Sequence, residues 1–110
     1  MLNEIKEIGK KLVDMVMFCH SKNIVHRDLK PSNVLISPED NIKVIDFSFS
    51  VDLNRCRNKL IKSNCGSPNY MAPEIVLEKI SDPKCCDVWA LGAILVKMVT
   101  GEAPFSCKLL

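Results

Sequence analysis

Asp28, Lys30 and Asn33 place a carboxylate, an ammonium and an amide within one short stretch, and a second carboxylate, Asp46, follows farther along. Carboxylate and amide oxygens are hard donors of the kind that suits magnesium. A lysine between them adds positive charge, and an aspartate in such company can accept or orient a proton. Taken singly, an aspartate is most often a loop carboxylate and an asparagine a turn former. The weight here comes from context. His26-Arg27-Asp28-Leu29-Lys30-Pro31-Ser32-Asn33 precedes Asp46-Phe47-Ser48, and Met71-Ala72-Pro73-Glu74 comes after both.

Four elements must position these groups. Leu2, Ile5, Ile8, Leu12, Met15, Val16 and Cys19 recur at three- and four-residue steps, which predicts an amphipathic helix ending near the polar turn His20-Ser21-Lys22-Asn23. Ile24-Val25 is a short extended lead into His26, and Pro31 biases Lys30 away from helical geometry. Val34-Leu35-Ile36 and Ile42-Lys43-Val44-Ile45 flank a turn-forming stretch and predict a hairpin, with Asp46 where its second strand stops. Residues 46–72 lack sustained periodicity, and a loop so long in a compact domain is usually functional. Pro73 opens a short helix through about Leu77. A longer one is expected from about Cys85 to Thr100, stopped by Gly101 and Pro104. Its centre, Val88 to Val96, is apolar all round; such a helix calls for enclosure on every side, and these 110 residues are expected to offer too little partner surface for it.

The 110 residues suffice for one small domain. A hydrophobic fraction of 47% with 25% charged residues describes a folded interior under a solvated surface. The net charge of +2, with both signs interspersed, argues against nucleic acid and membrane as partners. Met1-Leu2-Asn3-Glu4-Ile5-Lys6 resembles no signal or transit peptide, and no apolar run is long enough to span a bilayer. An intracellular location, cytoplasmic or nuclear, is therefore expected. There the six cysteines, which form no C-x-x-C pair, should remain reduced as buried or incidental thiols rather than bind zinc.

His26 to Asn33 resembles the protein kinase catalytic loop H-R-D-L-K-P-x-N, Asp46-Phe47-Ser48 resembles D-F-G, and Ala72-Pro73-Glu74 matches A-P-E. The resemblance to eukaryotic protein kinases covers nearly the whole chain. The stretch Lys62 to Tyr70 looks most like the calmodulin-dependent and AMP-activated branch. It implies an α+β fold: a kinase-like large-lobe fragment over residues 1–110, mainly helical, with a short β-hairpin carrying the catalytic and metal-binding loops. It also implies transfer of the γ-phosphate of ATP to a protein serine or threonine, with ATP and Mg2+ as cofactors.

By that resemblance Asp28 would orient the attacking hydroxyl, and Lys30, typical of the serine/threonine-specific branch, would contact the transferred phosphate. Asn33 and Asp46 would hold the metal, and Leu35 would lie under the adenine ring with Ile94 and Met98 continuing the stack. His26 and Phe47 would belong to the internal stack joining the lobes, anchored by Asp87; by themselves these apolar positions are simply core. Arg27 would pair with a phosphate in the activation segment, Ser63 being the candidate acceptor. An unmodified loop serine is about equally expected there. Ser67 would face the substrate, hydrogen-bonding toward Asp28 and Lys30, unless it only forms a turn before Pro68.

Several positions depart from the family pattern. Ser48 replaces the glycine of D-F-G, where a Cβ would restrict the backbone. No G-x-G-x-x-G loop or V-A-I-K strand occurs in the 110 residues, and the helices that complete the large lobe are likewise not represented. Glu74 is expected to lack the arginine that normally pairs with it, and an unpaired buried carboxylate is costly. Little activity is expected of these residues alone. The alternatives to an enzyme are a pseudokinase-like binding module, with a docking partner on its exposed apolar surface, and a non-functional remnant.

Overall fold

In the computed structural model, which describes residues 2–39, 41–55, 68–77, 82–102 and 104, helix α1 spans Leu2–Ser21. Ile8, Leu12, Val16 and His20 are buried at four-residue intervals, the spacing that keeps side chains on one stripe. Leu2 is exposed and Ile5, Met15 and Cys19 are half-buried, so the stripe is narrower than expected. The N–H of Asn23 donates to the His20 carbonyl at 2.9 Å, and Asn23, at φ 60, turns the chain into β1 (Ile24–Val25). Asparagine is one of the few residues that tolerates this left-handed conformation.

The fold is α+β, as expected. The predicted hairpin forms from β2 (Val34–Ile36) and β3 (Ile42–Val44), antiparallel with Val34 opposite Val44 and Ile36 opposite Ile42. Ile45, expected in the second strand, lies just beyond it. A second antiparallel pair joins β1 to β4 (Val51–Asp52). That strand lies in the stretch read as aperiodic, because two residues are too few to show alternation. A one-turn 3-10 helix, Leu53–Arg55, follows β4, and Leu53 is buried. Among the described residues the stretch from Asp46 is thus partly ordered by pairing with β1.

Helix α2 (Pro73–Val76) is a single turn with proline at its first position. Helix α3 (Pro83–Thr100) starts two residues before the expected Cys85, because Asp82 caps it by accepting the Lys84 N–H at 2.9 Å. Gly101, at φ 84, ends it and donates its N–H to the Lys97 carbonyl at 2.8 Å.

Helices α1 and α3 pack together, with Leu12 and Val16 meeting Ala90, Leu91, Ala93 and Ile94 in one cluster. Gly9 faces α3 here: a Cβ there would come within 3.1 Å of Leu95 Cδ2. Val44 joins the cluster from the hairpin and Leu29 from the His26–Asn33 loop, so the loop is pinned into the core. Each fully buried aliphatic side chain contributes about 1.5–3 kcal/mol. Helix α3 is not enclosed on every side, as the shortage of partner surface predicts. Asp87, Ala90, Leu91 and Ile94 are buried, whereas Val88, Val96 and Val99 on the other side are exposed. Among the described residues no helix is long and apolar enough to cross a membrane.

Candidate active site

The loop that opens at His26 is held by one buried carboxylate. Asp87, only 2% exposed on the first turns of α3, accepts the backbone N–H of His26 at Oδ2 and that of Arg27 at Oδ1, both at 2.9 Å. His20 Nε2 lies 2.9 Å from the same Oδ2. A carboxylate can only accept, so His20 carries its proton on Nε2. These bonds offset the cost of removing the charge from water. They also hold Arg27 at φ 73, a left-handed conformation that costs an L-residue about 1–2 kcal/mol.

His26 connects that anchor to both halves of the site. Its Nδ1 accepts the Asp28 N–H at 3.0 Å, and its Nε2 lies 2.9 Å from the Ile45 carbonyl. Because a carbonyl is an acceptor, the ring is the neutral Nε2–H tautomer in this arrangement. Phe47 meets it edge-on, with ring centroids 4.6 Å apart. Thus His26, Phe47 and Asp87 come together, and His26 lies between Asp28 and the segment leading to Asp46.

Asp28 is 6% exposed, with Lys30 Nζ at 3.8 Å from its Oδ2. Asn33 is buried at the end of the one-turn 3-10 helix Pro31–Asn33, and its Nδ2 donates to the Asp28 carbonyl at 2.8 Å. That bond fixes which way the amide points, since only nitrogen can donate to a carbonyl. The amide oxygen is therefore the atom left to meet a cation. The Ile45 N–H donates to the Asn33 carbonyl at 2.9 Å, so the residue before Asp46 is tied to Asn33 through the backbone.

Asp46 is exposed and sits at φ 60. Its Oδ1 accepts both the hydroxyl and, at 3.3 Å, the N–H of Ser48. These bonds, the hydroxyl first, hold the carboxyl below the usual aspartate value, against a smaller opposing effect of desolvation. The left-handed residue of this segment is Asp46. Ser48 has no positive φ, so the serine in the glycine place carries no backbone penalty here.

The donor set fits magnesium. Asn33 and Asp46 offer hard oxygens from adjoining backbone, and Asp46 is kept ionised. Among the described residues no three His, Cys, Asp or Glu side chains gather to hold a metal by themselves. Phosphate oxygens and water would therefore complete the coordination, as is usual for this ion.

Other sequence candidates fall elsewhere. Leu35 points away from the core and is 49% exposed. Ile94 is buried, and Met98 packs against the same cluster. Glu74, expected to lack a partner, is half-buried and accepts from the Cys86 thiol at 3.6 Å. Ser63 and Ser67 lie outside the described residues. Burial, and then the Asp87 charge, push the Cys19 thiol up, which suppresses its reactivity. His20 and Ser48 were not singled out as site residues. The four-residue spacing after Val16 is the signal that could have found His20. For Ser48 only its place two residues after Asp46 hints at a bond.

The family model described as the protein kinase domain matches residues 2–108. Among curated proteins, CBL-interacting protein kinase 21 from Oryza sativa subsp. japonica is 45% identical over 103 residues, covering 93% of this chain and 20% of its own length. CBL-interacting protein kinase 1 from the same organism is 41% identical, covering 94% of this chain and 23% of its own length. CBL-interacting serine/threonine-protein kinase 24 from Arabidopsis thaliana is 40% identical, with the same two coverages of 94% and 23%. The chain thus spans about a fifth of the length of these relatives.

Proposed function

This chain belongs to the protein kinase family, and from that premise we propose that it forms the catalytic-loop portion of a serine/threonine protein kinase acting on ATP and a protein substrate. The single observation that carries the reading is the linked placement of Asp28, Asn33 and Asp46, through the Asn33 amide to the Asp28 carbonyl and the Ile45 N–H to the Asn33 carbonyl.

In the proposed reaction Asp28 orients the acceptor hydroxyl and takes its proton, with Lys30 beside it at 3.8 Å stabilising charge on the transferred phosphoryl group. Asn33 and Asp46 hold Mg2+, which when bound neutralises charge on the triphosphate. His26 keeps Asp28 and the Asp46 segment in one arrangement. Leu35 contacts the adenine, and Arg27, Ser63 and Ser67 regulate or line the activation segment. The cytosol or nucleus is the proposed location, a reducing compartment in which the cysteines would remain thiols.

A chimera tests this. Residues 2–108 replace the matching stretch of the rice CBL-interacting protein kinase 21. Phosphorylation of a serine/threonine peptide that Asp28→Asn abolishes is the expected result. A folded, nucleotide-binding chimera without transfer would refute it. That outcome would favour the second reading, a binding module with a docking partner, for which the exposed Val88, Val96 and Val99 face is the supporting observation.

A further inference from the structure

We propose that Lys84, Asn23 and Asn54 form a one-way latch tying the chain that leaves the Asp46 segment to the first turn of α3, so that a single ammonium sets how tightly that segment is held. The inference goes beyond the proposed phosphoryl transfer, and no part of it depends on ATP or a metal ion.

The latch is a relay of three hydrogen bonds. Lys84 Nζ donates to Asn23 Oδ1 at 2.9 Å, Asn23 Nδ2 donates to Asn54 Oδ1 at 2.8 Å, and Asn54 Nδ2 donates to the Lys22 carbonyl at 3.3 Å. An ammonium only donates and a carbonyl only accepts, so both ends fix the same direction. Each amide therefore has one orientation that serves the relay. Without the ammonium, nothing at the α3 end keeps the Asn23 amide from turning over. That flip sets its oxygen against Asn54 Oδ1, and a matching flip of Asn54 only moves the clash of acceptors to the Lys22 carbonyl.

The backbone is fastened at the same place. The Leu53 N–H donates to the Asn23 carbonyl at 2.8 Å, Leu53 is buried, and Asp52 stands opposite Ile24 in the β1–β4 pair. Residues 47–50 are all that separate Asp46 from β4, so whatever holds β4 also limits the travel of Asp46. Helix α3 by itself gains nothing from a lysine here. A cation in the first turn opposes the helix dipole. The Asp82 cap uses only the Lys84 backbone N–H, which any residue but proline supplies.

The test is amide hydrogen exchange on the 110-residue chain, comparing Lys84→Met with the unmodified protein. Methionine keeps most of the stem and removes the donor. Three amides are read: Leu53, Ser50, whose N–H donates to the Phe47 carbonyl at 3.0 Å, and Val16, buried on α1, as the measure of overall stability. Leu53 and Ser50 should exchange roughly fivefold faster, about the effect of one hydrogen bond, with Val16 unchanged. Lys84→Arg, another side chain that only donates, should return both rates toward those of the unmodified chain. Unchanged exchange at Leu53 overturns the latch. Faster Leu53 with unchanged Ser50 overturns its hold on the Asp46 segment. Equal acceleration at all three amides also overturns the inference, leaving Lys84 a general contributor to stability. None of these outcomes bears on phosphoryl transfer, which the chimera tests separately.

Discussion

The Asp87 carboxylate accepts the backbone N–H of Arg27 at 2.9 Å, joining two residues 60 positions apart. With the second bond to His26, it makes the conformation of the His26–Asn33 loop depend on a residue of α3. Asp87→Ala should strand two backbone donors and His20, costing about 3–5 kcal/mol of stability. A denaturant melt measures the loss, and amide hydrogen exchange at His26 and Arg27 should accelerate with it. Unchanged exchange at these two amides would show that the loop is held by other means.

His26 should show one tautomer. Its Nδ1 accepts from Asp28 and its Nε2 donates to Ile45, so nitrogen NMR should report a protonated Nε2 and an unprotonated Nδ1. The reverse pattern, or an average of the two, is incompatible with the bridge. His26→Phe keeps a ring to meet Phe47 but removes both bonds. It is expected to lower stability by about 1–3 kcal/mol and to loosen the Ile45–Asp46 segment.

Asp46 should remain ionised to lower pH than an ordinary aspartate, because Ser48 donates to its carboxylate. The sign follows from linkage. A value depressed in the folded state gives stability that is fully present above the unfolded value and lost as pH falls through the folded one. In Ser48→Ala the Asp46 titration, read from its side-chain carboxyl carbon signal, should move up toward the ordinary range. A titration that stays put would show that the hydroxyl does not contact the carboxylate in solution.

Two substitutions on α1 should behave oppositely. Leu12 is fully buried, and Leu12→Ala should cost about 2–5 kcal/mol. Gly9→Ala brings its Cβ to 3.1 Å from Leu95 Cδ2, the end of a half-buried side chain, while relieving the helix of a glycine worth roughly 1 kcal/mol. It should therefore be neutral or slightly stabilising. A thermal melt in which Gly9→Ala loses as much as Leu12→Ala would mean that the two helices cannot shift by the few tenths of an ångström required.

The elements with strong periodicity were legible before any coordinates: α1 from its three- and four-residue steps, the hairpin from its β-branched runs, and α3 from its apolar length. What periodicity cannot register was not. The β1–β4 pair is too short, and the capping of α3 by Asp82 depends on a single side chain. At the site, the residue types of Asp28, Asn33 and Asp46 pointed to a cation. The bonds that orient them run mostly through backbone atoms, which every residue possesses and no pattern distinguishes. The thiol facing Glu74 illustrates the same limit, since Cys86 lies twelve positions away with nothing local to announce the contact.

The short route from Asn33 through the Ile45 peptide to His26 closes below the hairpin tip, on the side of the core. The opposite end is closed separately, by the Ser37 N–H on the Asn41 carbonyl at 2.8 Å. A graft at the tip, for instance an epitope or a fluorophore-binding peptide between Pro38 and Glu39, would therefore be mechanically insulated from Asn33 and Asp46. The hairpin thus offers a place to label this chain without disturbing the residues at its base.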